Sequence, residues 1–178
     1  AVELLDYRPS EMARRMLRGR TDMIGFLTTD IAYPWFAAIA SAAEAEARGH
    51  GYGLVIFNSG NDPQQELAAL SKISDQQIDG LIVMTNHADD GKLAEAIKSA
   101  GKVVLVDEDV PHTSVPKVFA ESKRGSELAT RHLLEMGHRR IGFISGPREL
   151  ISASERYAGF SEVLEGAGLA VNPDWVVF

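Results

Sequence analysis

A chain of 178 residues with 45% hydrophobic and 24% charged residues holds enough apolar material for one ordinary domain or two small lobes. No apolar run approaches the roughly 20 residues of a membrane-spanning helix, and the absence of cysteine excludes a disulfide scaffold, a thiolate zinc site and a cysteine nucleophile. The net charge of −7 is unevenly spread: residues 7–21 hold five arginines (Arg8, Arg14, Arg15, Arg18 and Arg20) against one acid, Glu11, so a short basic element precedes a strongly acidic body.

Residues 2–7 read as the end of a helix, which Pro9 breaks. Ser10 is placed to cap a short helix over 11–18, and Gly19 to end it. From Met23 onward strands and helices alternate. A buried-type strand over 23–28 leads to an alanine-rich helix over 35–48 and a second strand over 52–57. Asp62-Pro63 opens a helix reaching about residue 75. A strand over 80–84, a helix over 90–100 and a strand over 102–107 follow. Beyond a proline-flanked loop, 111–116, come an extended stretch at 117–120, a helix over 125–136, a strand over 140–145, a helix over 154–167 and a last strand from Trp175. This alternation predicts an α/β fold of βαβ units, with parallel sheets flanked by helices on both faces. In such sheets ligands sit beyond the carboxyl ends of the strands, so function is expected just after Thr28, Phe57, Met84, Val106 and Ser145.

Most local motifs fail on context. Gly49-His50-Gly51-Tyr52-Gly53 runs from helix to strand, whereas a phosphate-binding glycine loop must run from strand to helix. Gly142-Phe143-Ile144-Ser145-Gly146 lacks the spacing of a nucleophile elbow. The five histidines show no metal-ligand spacing, and no carboxylate pair stands out as an acid/base couple. Two positions remain. Asp107 ends a strand in the zone where ligands bind, and it also suits an Asx turn. Arg156 lies early in a helix where the dipole favours an acid, which suits a fork for ligand oxygens or an ion pair with Glu149 or Glu155.

The segment Tyr7-Arg8-Pro9-Ser10 through Arg20-Thr21, followed by Ile24-Gly25, resembles the hinge of the lactose-repressor/galactose-repressor family of transcriptional regulators. The likeness continues through Asp79-Gly80-Leu81-Ile82, Val104-Leu105-Val106-Asp107, residues 137–147 and Arg156-Tyr157-Ala158-Gly159-Phe160, in family order over essentially the whole chain. It implies a periplasmic-binding-protein type I-like fold of two lobes. Residues 1–22 would be the end of a helix-turn-helix head plus a short hinge helix, 23–120 a first effector lobe, and 121–178 part of a second, truncated lobe.

The resemblance also implies roles. Ala13, Arg14, Arg15, Met16 and Leu17 would meet operator DNA, with Met16 where many members place a leucine wedge that enters the minor groove. Trp35, Phe36, Asp107, Ser152 and Arg156 would contact a small effector, a sugar or sugar derivative, without cofactor or catalysis. Departures are Glu108 where many sugar-binding relatives have arginine, Leu150 where purine-responsive members have arginine, and Ala120-Glu121-Ser122 for Val-Asp-Asn. The partners implied are operator DNA, the effector and a second copy of the chain, with no membrane. With no cysteine and no leader pattern in the first residues, the expected location is the cytoplasm. The other classes open to the sequence are a periplasmic or transport-associated sugar-binding protein, which the basic hinge disfavours, and an α/β enzyme, for which no catalytic constellation is visible.

Overall fold

Two prolines set the first two helices. In the computed structural model, which describes residues 19–178, Pro34 and Pro63 each stand at a first helical position, where the missing N–H costs nothing. Asp62 completes the second start by accepting a hydrogen bond from the Gln64 amide at 2.9 Å. The elements run β1 Met23–Thr28, α1 Pro34–Gly49, β2 Gly53–Asn58, α2 Pro63–Ser74, β3 Gly80–Val83, α3 Lys92–Ala100, β4 Val103–Val106, β5 Lys117–Val118, α4 Ser122–Glu135, β6 Phe143–Ile144, α5 Ile151–Gly166 and, after a short turn at Pro173–Trp175, β7 Val176–Val177. The short hinge helix and the DNA-contact residues Ala13, Arg14, Arg15, Met16 and Leu17 lie outside the described residues.

The first five strands form one parallel sheet in the order β2-β1-β3-β4-β5. Alternating residues of each strand serve opposite faces. On one face Leu27, Leu81, Val83, Val103 and Leu105 pack with Ala69 and Leu70 of α2 and Leu93, Ala94 and Ile97 of α3. On the other, Phe26 and Met84 pack with Ala40, Ile39 and Ala43 of α1. The chain leaves β1 toward β2 and then returns to β3 on the far side of β1, which opens a crevice at the carboxyl ends of β1 and β3. The second sheet holds β6 and β7, also parallel. It packs against α5 through an aromatic cluster in which Phe143 stacks on Phe160 at 4.9 Å and Tyr157 meets Phe178 edge-on at 5.4 Å.

Several boundaries differ from the sequence expectation. α3 begins at Lys92 rather than Asp90, because Asp89 and Asp90 stay outside as acceptors: Asp89 takes the Leu93 and Ala94 amides, both at 3.0 Å, and Asp90 takes that of Lys92 at 3.1 Å. α4 and α5 each start three residues earlier than expected, at Ser122 and Ile151. β6 covers only Phe143 and Ile144 of the strand expected over 140–145, since β7 pairs with no more of it. The Gly49-His50-Gly51 segment ends α1: Gly51 adopts φ 80° and the Tyr52 amide reaches back to the Ala47 carbonyl at 2.9 Å.

One acidic clamp fixes the entry to β1. Asp79, just before β3, accepts from the Thr21 amide (2.8 Å), the Thr21 hydroxyl (3.1 Å) and the Asp22 amide (2.9 Å). Burial alone would raise its carboxyl pKa, but these donors and nearby Arg20 outweigh it and hold the group below the ordinary 3.8.

A buried pair holds the loop between β3 and α3. Glu66 of α2 is fully buried; the Thr85 hydroxyl donates to it at 3.2 Å and His87 Nε2 lies 3.0 Å from its Oε2. His87 Nδ1 lies 3.0 Å from the Ala88 carbonyl, which can only accept, so opposite an ionised Glu66 both ring nitrogens carry protons. Burial pushes the Glu66 carboxyl above 4.5 against the opposing pull of His87. Burial also works against the His87 cation, yet the Ala88 carbonyl and the carboxylates of Glu66 and Asp89 prevail and raise its pKa above 6.5. The native state therefore binds the imidazolium proton more tightly than the unfolded chain does. That stability is complete below 6.5 and is lost as pH rises through the folded pKa. The unfolding free energy of the full-length protein should fall over this window, and His87→Gln should remove that part of the fall. A wild-type profile flat across it would rule out the charged pair.

Candidate functional site

The crevice predicted by the strand order is a cleft of about 610 Å³ that draws on both sheets. Trp35 and Phe36 enter from the first turn of α1, Asn86 from the loop after β3, and Asp107 and Glu108 from the end of β4. Glu121, Ser122 and Ser126 come from the start of α4, Ser145 and Gly146 from the end of β6, and Ser152 and Arg156 from α5. All five residues expected to meet a small ligand (Trp35, Phe36, Asp107, Ser152 and Arg156) therefore line one cavity. Leu150, at the arginine position of purine-responsive members, is buried and is not among the lining residues.

Asp107 holds a left-handed backbone (φ 74°), a conformation uncommon outside glycine. The backbone is pinned by its amide, which donates to the Val118 carbonyl at 2.9 Å. The Asx turn open to it at the sequence level does not form: Oδ1 is buried and has no hydrogen-bond partner among the described residues, and neither has Ser145 Oγ. Buried oxygens without partners at the wall of a cavity are strong candidates for ligand contact, because leaving them unpaired costs about 1–3 kcal/mol each.

Glu108 is the opposite case. It is only 3% exposed, and its carboxylate accepts from the Ser152 hydroxyl and, at 3.4 Å, from the Ser152 amide. Burial pushes its pKa above 4.5; the Ser152 donors and the Ile151 amide pull it back, while neighbouring Asp107 adds to the rise. This contact joins the end of β4 in the first sheet to the first turn of α5, on which the second sheet packs. Ser152 is thus committed to Glu108 in this state of the cleft.

Arg156 sits in the second turn of α5 and is exposed. Among the described residues it pairs with neither Glu149 nor Glu155, the two ion-pair partners open to it in the sequence. Trp35 is 53% exposed, a large apolar face open to the cleft, and Phe36 behind it meets Tyr33 edge-on at 6.3 Å. A wide aromatic surface with a few convergent polar groups suits a small, flat or ring-shaped polar molecule.

Sequence reasoning did not single out Asn86, Ser126 or Ser145 as contacts. Residue type gave no signal for them; position did, because Asn86 and Ser145 follow directly on strands whose carboxyl ends were expected to face a ligand. Glu108 and Glu121 stand in the sequence only as departures from the family pattern, with no role attached.

With this geometry in view, comparison with known proteins adds ancestry. A family described as periplasmic binding proteins and sugar binding domain of LacI family matches residues 21–178. The HTH-type transcriptional repressor PurR of Haemophilus influenzae (strain PittEE) is 34% identical over 178 residues, covering 99% of this chain and 53% of the relative. The chain thus spans about half the length of the curated relatives it matches. Among solved structures, the transcription regulator CcpA of Lactococcus lactis superposes with a TM-score of 0.81 at 26% identity, over 89% of this chain and 58% of that one. A transcriptional regulator CelR–cellobiose complex gives 0.78 at 25% identity, over 99% and 53%.

Proposed function

Because the chain belongs to the family of periplasmic binding proteins and LacI-type sugar-binding domains, we propose that it is the effector-binding part of a cytoplasmic DNA-binding repressor switched by a small polyhydroxylated ligand. The observation that carries this reading is the cleft, lined from both sheets by Trp35, Phe36, Asp107, Ser152 and Arg156. In this reading residues 23–120 form one lobe and 121–178 belong to a second, with the ligand between them. The ring stacks on Trp35 and Phe36, hydroxyls donate to Asp107, and the Arg156 fork donates to ligand oxygens. The cellobiose complex of a structural neighbour supports a sugar as the ligand class. In this reading the protein binds its ligand without transforming it, which the relatives named as transcriptional repressors support.

A ligand that touches both lobes favours whichever lobe angle it fits best, and only by its difference in affinity between angles. In a homodimer this angle sets the separation of the two basic segments at residues 7–21. Ala38, Ser41, Ala42 and Ala45 leave a smooth exposed strip on α1 that allows a second copy to approach closely. Ala13, Arg14, Arg15, Met16 and Leu17 then lie against operator DNA, the arginines on phosphates and Met16 at the groove.

The test is operator binding by the full-length protein, on DNA selected from random sequence, across a salt series. Each phosphate contact contributes about 0.9 to the slope of log affinity against log salt, so Arg14→Gln with Arg15→Gln should flatten it by about 2. A member of a monosaccharide and disaccharide library should shift the affinity. An unchanged slope removes these arginines from the interface, and absence of any specific operator removes the repressor reading.

A further inference from the structure

The first turn of α5 has no local means of satisfying its free amides. Its N-cap is Leu150, which makes no side-chain hydrogen bond, and no acid stands in its first turn. The partner comes instead from 44 positions earlier in the chain: Glu108, 3% exposed, places its carboxylate on the Ser152 hydroxyl and amide. An anion at a helix N-terminus interacts favourably with the exposed N–H groups and with the helix dipole. Here that anion is part of the protein, and it sits inside the cleft.

The surrounding charges act in the same sense. Asp107 and Glu121 also line the cavity, and Arg156 is the single cation among the lining residues. The unpartnered Asp107 Oδ1 accepts but does not donate. A ligand anion would meet carboxylates on two walls, and the helix end able to receive it is already filled.

We propose that Glu108 sets the charge class of the ligand: it acts as a built-in carboxylate that fills the anion seat at the start of α5, so the cleft takes neutral or amine-bearing polyols and rejects sugar phosphates and sugar acids. The inference rests on the reading of this cleft as the effector site, but its test requires neither DNA nor the natural effector. Glu108→Ala vacates the seat and frees the two donors of Ser152, whereas Glu108→Gln removes the charge and keeps the space filled.

The experiment titrates inorganic phosphate into the full-length protein and the two variants, by calorimetry and by melting temperature, against chloride at equal ionic strength. Comparison with wild type cancels the general stabilising effect of the salt. Glu108→Ala should bind phosphate at least tenfold more tightly than wild type, with Glu108→Gln in between. Equal phosphate response in wild type and Glu108→Ala overturns the proposal, as does a folded Glu108→Ala with no response. If the alanine variant fails to fold, the glutamine variant decides: a phosphate response above wild type supports the proposal, and parity overturns it. A phosphate result as expected, alongside failure to find an operator, would sink the repressor reading and leave the charge selectivity standing.

Discussion

Full-length protein carrying Gly159→Val should lose about 3 kcal/mol or more of unfolding free energy, the upper end of what overpacking costs. Gly159 is buried where α4 and α5 touch. A Cβ on it would lie 2.4 Å from the Lys123 carbonyl oxygen and 3.2 Å from the Glu127 amide nitrogen. Both obstacles are backbone, so no side-chain rotation relieves the clash, and one helix must move away from the other. α5 carries Ser152 and Arg156 to the cleft, so its displacement also breaks the bond to Glu108. Gly166, the last residue of the same helix, has nothing within 4 Å of a built Cβ. Gly166→Ala should therefore be neutral or stabilise by about 0.4–1 kcal/mol. Urea unfolding of both variants provides the check, and equal, small effects would mean that α4 and α5 do not pack this closely.

Arg156→Lys should weaken ligand binding at least about tenfold while leaving stability within about 0.5 kcal/mol of wild type. The guanidinium offers two parallel donors in one plane, and a charge-assisted hydrogen bond is worth about 1.5–3 kcal/mol. Lysine keeps the charge but offers no fork, so it should restore little. Arg156 pairs with neither Glu149 nor Glu155 among the described residues, so neither of these ion pairs accounts for its place. Trp35 provides the readout: it is half exposed in the cleft, and a stacked ring alters its fluorescence. The ligand comes from the saccharide library, and the same sample is then unfolded in urea. Unchanged affinity with lowered stability would return Arg156 to a structural role.

Elements governed by their own sequence were legible from it. β1 reads as a strand because Gly25-Phe26-Leu27 is buried on both faces, α1 as a helix from its alanine-rich run, and α2 from Asp62-Pro63. The starts of α4 and α5 were not legible, and α5 shows why. The Ser152 amide and hydroxyl in its first turn are met by Glu108, a partner no local window contains. β6 was overestimated for a related reason, since strand length depends on the pairing offered by β7. The site divides in the same way. Family likeness and position after a strand pointed to Trp35, Phe36, Asp107, Ser152 and Arg156, which one cavity gathers. The pairing of Glu108 with Ser152 could not be read, because it depends on how two sheets face each other rather than on either segment.

The Asp79 clamp gives the molecule a seam for cutting and rejoining. It grips the Thr21 and Asp22 amides from the start of β3, so whatever precedes residue 21 is fastened to the middle of the first sheet and not merely continuous with its first strand. A foreign head spliced in before Thr21 inherits that fastening, and every head exchanged at this joint leaves the sheet from the same point. A splice placed after Asp22 replaces both gripped residues: the Thr21 hydroxyl bond is lost, and a proline at either position removes an amide donor as well. The carboxylate of Asp79 thus works as the socket of an interchangeable cassette.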